Sequence, residues 1–185
     1  VNALSEWTEV FVKRDGKIHT QRYNRGVPEF DVKVIGKSNE TGTTVRFKAD
    51  HEIFETLEYD FDVLKSRLKE MAYLNKGLEI VLIDERKEVI KEERLKFDGG
   101  IVDFIKEVEE GQATLIPEPI YMSGESEDII VEIAILYTEK QRETIYSFVN
   151  NINTHEGGTH VSGFRMALTR IINEVAKSQG LLKER

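Results

Sequence analysis

Six residues near the end of the chain, His155-Glu156-Gly157-Gly158-Thr159-His160, place two imidazoles and a carboxylate close together. These are the residue types that bind zinc or move protons. A zinc-protease helix carries its two histidines at i and i+4, so that both face one side. Here the spacing is i and i+5, about 140° apart on an ideal helix, with two helix-disfavouring glycines between. The spacing argues against a metal site. The same glycines, standing ahead of a helix, could present backbone amides to an anion, because helix N-termini favour negative charge. Neither a P-loop nor a GxGxxG run accompanies them, and a plain hinge that starts a helix accounts for the pair better.

Other charged residues are plentiful but unspecific. Asp62, Glu70, Asp84, Glu85 and the run 107–110 supply carboxylates, none spaced as an acid/base couple, which is the pattern of a solvated face. Arg165, Arg170 and Lys177 fall on one predicted helix, where they either meet phosphates or keep an amphipathic helix in solution. With no cysteine, disulfides, a thiol nucleophile and thiolate metal sites are excluded. By residue type alone the chain shows no catalytic centre and no metal site.

The elements that must position these residues belong to a mixed α and β chain. Its 185 residues suit one large domain or two modest ones, and 39% apolar with 32% charged residues reads as globular. A net charge of −8 excludes a chain-wide basic footprint, so contact with nucleic acid would need a local cluster of Arg and Lys. No apolar run approaches the roughly 20 residues of a membrane span, and no secretory signal is present. The opening VNALS reads as the tail of a helix and suggests a piece of a longer protein.

Residues 6–14 and 17–23 alternate as strands around Asp15-Gly16, a strong hairpin signal, and Gly26, Val27 and Pro28 end the second strand. Residues 31–36 and 43–49 read as a further pair. Asp50 caps a short helical turn at 51–55, and a longer helix follows with Phe61, Leu64, Leu68 and Met71 on one face. A buried strand at 78–85 pairs with 88–97. After Asp98-Gly99-Gly100 come a short helix with Ile101, Ile105 and Val108 inward, a Pro117–Pro119 loop, and two strong strands, 128–138 and 143–151, that turn at 139–142. The last helix runs from about 160 to 178, with Phe164, Leu168, Ile171, Ile172 and Val175 as its apolar face. The break at 98–100 is a plausible domain seam.

Four stretches, in order, resemble one family. NNINTHEGGTHVSGFRMALTRIIN resembles the second-domain signature of the DNA gyrase B family. VNALS…KRDGKIH…YNRGVP resembles the part of its ATPase domain after the ATP lid. TGTTVRF resembles the last nucleotide-pocket motif of the group formed by gyrase, heat-shock protein 90 (Hsp90), histidine kinases and MutL. FDGGIVDFIKEV with PEPIYMSGE resembles the start of the transducer domain.

The resemblance implies an α+β chain. Residues 1–98 would be the C-terminal half of a gyrase/Hsp90-type ATPase α/β sandwich. Residues 99–185 would be part of a ribosomal-protein-S5-like transducer domain with a left-handed βαβ crossover, an exception to the right-handed rule. Thr43 matches a threonine that helps hold adenine through a water, Val45 an apolar wall of that pocket, and Arg14 an arginine at its rim, where coumarin antibiotics also bind. Arg165 matches an arginine lining the hole through which DNA passes, a role that suits phosphate contact without sequence readout. No catalytic residue and no metal ligand is carried over. The general-base Glu, the Mg-holding Asn and the Gln-Thr-Lys loop would lie outside these residues, so the piece alone would neither hydrolyse ATP nor bind it tightly.

In the parent the implied cofactors are ATP and Mg2+. The implied partners are double-stranded DNA, the gyrase A protein in an assembly of two A and two B chains, and a second gyrase B on ATP binding. The implied place is the cytoplasm, with no membrane. The implied activity is ATP-dependent topoisomerase action coupled to negative supercoiling. The alternatives are the corresponding ATPase component of topoisomerase IV, which decatenates, and a non-catalytic dimerisation or docking module on the same scaffold.

Overall fold

The computed structural model describes residues 1–181, and its elements are antiparallel sheets and three α-helices. Contacts divide the chain into two compact units, Val1–Asp60 and the chain from Phe61 onward.

The first unit is a five-stranded antiparallel sheet. A 3-10 turn at Asn2–Leu4 leads into β1 (Ser5–Arg14), followed by β2 (Lys17–Asn24), β3 (Val27–Pro28), β4 (Lys33–Lys37) and β5 (Gly42–Ala49). Strands β1 and β2 are in register from Trp7 opposite Asn24 to Arg14 opposite Lys17. The turn between them holds Asp15 at φ 53° and Gly16 at φ 75°, both positive as a tight two-residue hairpin requires. The expected pairing of 31–36 with 43–49 does not occur. Instead β4 pairs with β2 and β5 with β1. The central hairpin leaves two free edges, and each later strand takes one of them, so the polar loop after β4 crosses the sheet instead of turning back.

Asp50 closes this unit. Its amide donates to the Leu4 carbonyl at 3.1 Å, and its own carbonyl accepts from the amides of Ile53 and Phe54 at 3.1 and 3.0 Å. Its Oδ1 accepts from the Glu52 amide at 3.0 Å. The helical turn expected at 51–55 is this one capped turn, and no helix extends from it.

The second unit begins with α1 (Phe61–Leu74), which lies against the hairpin β6 (Ile80–Asp84) and β7 (Lys91–Leu95) and against α2 (Ile101–Val108). Phe61 is buried and Leu64 and Leu68 are partly so, as their spacing predicts. Met71 is not on the covered face. Ala72 and Tyr73 are buried in its place. The Tyr73 ring decides the orientation, stacking on Phe97 at 3.7 Å between centroids and tilting against Phe104 of α2 at 5.5 Å. Phe104 in turn meets Tyr146 and Phe148 edge-on at 5.3 and 6.1 Å. One aromatic cluster thus joins α1, α2 and the segment 146–148. The strand expected to be buried at 78–85 is Ile80–Asp84 in a two-stranded ribbon, and such a ribbon covers only one face, leaving Val81 and Ile83 outward.

Gly100, at φ 61°, is the residue that precedes α2. The Asp103 carboxylate reaches back to accept from the Gly99 amide at 2.8 Å, tying the first turn of α2 to the residue before its N-cap. A Cβ on Gly99 would collide with that carboxylate. The Asp-Gly-Gly run is therefore a helix start built on close approach.

Strand β9 (Ile129–Ile135) pairs with β8 (Ile120–Ser126), through a turn in which Glu127 and Asp128 take φ 51° and 63°. The strand expected at 143–151 is absent except for β10 (Phe148–Val149), which pairs with β11 (Ile152–Asn153) around Asn150-Asn151. Residues 128–138 find their partner behind them in sequence, and 139–147 are left irregular. Helix α3 (Thr159–Ser178) follows. Phe164 and Leu168 are partly covered, but Ile171, Ile172 and Val175 are about half exposed, so the second half of its apolar face is open among the described residues. No helix of the described residues is long and apolar enough to cross a membrane.

Candidate functional site

In the first unit, antiparallel register settles which side chains share a face. Val12 lies opposite Thr43 and Val10 opposite Val45, and directly opposed residues point the same way. Arg14 follows Val12 by two residues and so projects from that face as well. The structure thus brings Arg14, Thr43 and Val45 together on one side of the sheet, with Phe47 continuing the row. All four side chains are open: Val45 is 50% and Phe47 45% exposed, and Arg14 makes only a loose ion pair with Asp15 at 3.6 Å. An apolar wall beside a threonine hydroxyl, with a guanidinium at the strand end, suits a flat heteroaromatic ring carrying a nearby anionic group. Among the described residues no three His, Cys, Asp or Glu side chains gather to hold a metal ion.

At the other end of the sheet, Arg25 donates to Asp50 through Nε at 2.8 Å and Nη2 at 3.3 Å, and reaches Glu52 at 2.6 Å. The Glu52 amide and then the Arg25 guanidinium hold the Asp50 carboxyl below the usual carboxylate range. Asp50 is buried and well satisfied, which makes it structural.

In the second unit, the glycine-histidine run does something its spacing did not suggest. His160, in the first turn of α3, turns back so that Nε2 lies 3.2 Å from Thr154 Oγ1. Thr154 Oγ1 donates to the Ser147 carbonyl at 3.0 Å and lies 2.6 Å from Ser147 Oγ. Thr154 Oγ1 is thus shared between Ser147 and the imidazole. A Cβ on Gly158 would come within 2.9 Å of the imidazole, so the second glycine of the run makes room for the ring. The run is a latch between the β10–β11 hairpin and α3. His155 takes no part in it.

Five residues beyond His160, Arg165 projects from α3 at 55% side-chain exposure and forms an ion pair with Glu143 of the irregular stretch 139–147. Met166, Thr169 and Arg170 share its shelf on the helix. Glu143, Ser147 and Thr154 are not readable as site residues, because they lie outside regular elements and meet partners 22, 7 and 6 positions on or back. The sole signal was the unexplained second glycine ahead of His160.

Buried between α1 and α2, the Tyr73 hydroxyl donates to Glu107, whose other oxygen accepts from Lys69 Nζ at 2.5 Å. Burial and then the Glu107 carboxylate push the Tyr73 phenol well above its ordinary range. Burial opposes the charge on Glu107, yet the Lys69 and Tyr73 hydrogen bonds hold its carboxyl below the usual value. Only Tyr73 of this trio is buried, Lys69 and Glu107 reaching the surface, and the contact fastens α1 to α2.

Comparisons with known proteins agree with one another. A sequence model described as DNA gyrase B matches residues 100–185. The chain is 49% identical, over all of its 185 residues, to a DNA gyrase B protein from Halalkalibacterium halodurans, of which it spans 29%. It is 47% identical over its full length to a DNA gyrase B protein from Bacillus mycoides, of which it spans 46%. Among solved structures, the crystal structure of the 43K ATPase domain of Thermus thermophilus gyrase B in complex with an aminocoumarin superposes with a TM-score of 0.88 at 39% identity. That match covers the whole of this chain and 50% of the other. The chain therefore spans under half the length of these two curated relatives.

Proposed function

Because the chain belongs to the DNA gyrase B family, we propose that it is the part of an ATP-dependent type II topoisomerase that links the nucleotide pocket to the DNA channel. The observation that carries this reading is similarity over the entire length at both levels, 49% identity to one gyrase B protein and a TM-score of 0.88 to a gyrase B ATPase domain. Residues 1–98 belong to the ATPase domain and those from 99 to an S5-like transducer, with the last four of that range outside the described residues. That proposed boundary, just ahead of α2, lies inside the compact unit that runs from Phe61 onward.

Thr43 and Val45 hold the adenine, Thr43 through a shared water and Val45 by apolar contact, and Arg14 stands at the rim where an aminocoumarin would also reach. Their common open face fits that set. The bound nucleotide with Mg2+ supplies the phosphoryl group whose transfer drives the cycle, and this chain's residues orient the base. No residue of this chain is assigned to activating water or to holding the metal. Arg165 faces the passing DNA segment and touches backbone phosphate. Partnership with gyrase A, dimerisation of the ATPase region on ATP binding, negative supercoiling and a cytoplasmic place complete the proposal. Coupling of this kind requires nucleotide to bind the closed state better than the open one.

The test is Arg165→Gln in full-length gyrase B complexed with gyrase A. Removing one phosphate contact should lower the salt slope of duplex binding by about 0.9 and weaken DNA stimulation of ATP turnover. An unchanged slope with unchanged stimulation would remove Arg165 from the DNA channel.

A further inference from the structure

Arg165 is not presented bare. Its guanidinium is already occupied by the carboxylate of Glu143, from a stretch that belongs to no helix or strand. Its neighbours differ. Arg142, adjacent to Glu143, and Arg170, on the same helical shelf, make no ion pair among the described residues. Of the three guanidiniums in this region, the neutralised one is the one assigned to DNA.

We infer that Glu143 is an intramolecular competitor for DNA phosphate, occupying Arg165 until a duplex displaces it. The inference rests on the reading of Arg165 as a phosphate contact. A carboxylate and a phosphate present the same planar pair of acceptors to a guanidinium, so one can replace the other without moving the arginine. Both side chains are more than half exposed, and an exposed ion pair is weak enough for a polyanion to break. A duplex delivers closely spaced phosphates to Arg142 and Arg170 at the same time, so it can displace Glu143 where a single small anion cannot. The pair therefore sets a threshold: Arg165 engages only when a length of backbone lies along α3.

The experiment compares Glu143→Gln, Arg165→Gln and the double variant in full-length gyrase B complexed with gyrase A. The probe is a linear duplex, read by direct binding and by the DNA concentration that half-stimulates ATP turnover. Glu143→Gln should lower both concentrations by up to about fivefold, the most that an exposed pair is worth. In the Arg165→Gln background the same change should have no effect.

If Glu143→Gln helps equally in both backgrounds, the carboxylate acts only by general repulsion and the competitor role is overturned. If it changes nothing while Arg165→Gln weakens binding, the competitor role fails and the DNA reading of Arg165 stands. If Arg165→Gln itself changes nothing, both fall. Because Glu143 is exposed and outside any regular element, these variants leave the fold intact.

Discussion

The two units bury opposite kinds of side chain. In residues 1–60 the buried side chains are Ser5, Thr8, Thr20 and Asp50, all polar, while Val34, Ile35, Val45 and Phe47 lie about half exposed. From Phe61 onward they are Phe61, Ala72, Tyr73 and Leu95. The first unit is held by its strand ladder and by hydrogen bonds at its margins. Ser5 Oγ donates to the Val1 carbonyl at 2.8 Å, Thr20 Oγ1 to the Val10 carbonyl at 3.0 Å, and Arg25 to Asp50. The second unit is held by apolar burial around one aromatic ring. A sheet with open faces suits a ligand surface, whereas a ring clamped between two helices suits transmission of movement. The contrast predicts that the two units fail for different reasons.

The largest effect should come from Tyr73→Ala. Losing a ring that stacks on Phe97 and leans on Phe104 should cost about 3–5 kcal/mol. Amide exchange should speed across α1, α2 and 146–148 while β1 and β2 keep their protection. Uniform loss across both units would erase the distinction. Tyr73→Phe keeps the ring and removes only the charge-assisted hydrogen bond to Glu107, so about 1.5–3 kcal/mol is expected.

The same trio contributes to the pH response of the second unit. The Tyr73 phenol is raised in the folded state, so its contribution is full below its unfolded value of 10.0 and is lost as pH climbs beyond it. The Glu107 carboxyl is lowered, so its contribution is present above the unfolded carboxylate range and lost as pH falls through the folded value. Tyr73→Phe should shrink the alkaline decline, to which the raised Tyr121 phenol also contributes, and leave part of the acid one.

In the first unit the corresponding break is Asp50→Asn. The Asp50 carboxyl is lowered by the Glu52 amide and by Arg25, so its contribution too is present above the unfolded carboxylate range and lost in acid. The amide keeps one acceptor for Glu52 but loses the charge that Arg25 needs. A fall in melting temperature smaller than that of Tyr73→Ala is expected, confined to strand ends near residues 4, 25 and 50. An acid transition unchanged by Asp50→Asn would show that the Arg25 contact is idle.

How far these features were legible depends on how local their causes are. Asp15-Gly16 marks its hairpin because both turn residues need positive φ and the sequence supplies types that accept it. Asp98-Gly99-Gly100 marks the start of α2 because the Asp103 carboxylate acts within four residues. The hairpin at Glu127-Asp128 escaped because neither residue signals a turn strongly, so β9 was matched with the segment after it instead of the one before. The pairing of β4 and β5 escaped because alternation identifies a strand without saying which edge it joins. Helical spacing allows either Met71 or Tyr73 on the covered face, and only Phe97, 24 positions beyond Tyr73, decides between them. For the site, Arg14, Thr43, Val45 and Arg165 came from family likeness; alternation puts Thr43 and Val45 on one face, but adding Arg14 needs the β1–β5 register. Glu143 could not be found in that way.

The smallest effect has the opposite sign, and it is the sharpest probe of the polar interior. Thr8 is buried in the middle of β1, yet its Oγ1 has no hydrogen-bond partner among the described residues. It therefore differs from Ser5, Thr20 and Asp50, whose polar atoms are all used. An unmet buried hydroxyl carries its desolvation cost without return, and valine matches its shape while favouring the strand. Thr8→Val should raise the stability of the first unit by about 1 kcal/mol, measured by denaturant unfolding, with β1–β2 and β1–β5 amide protection retained. Thr20→Val, which breaks the bond to Val10, should lower stability by a similar amount. If both changes destabilise, Thr8 has a bound partner such as water and every buried polar group in the sheet is needed. If only the second does, the unit is held by the hydrogen bonds its polar residues make, and polarity without a partner is a cost that the sheet carries.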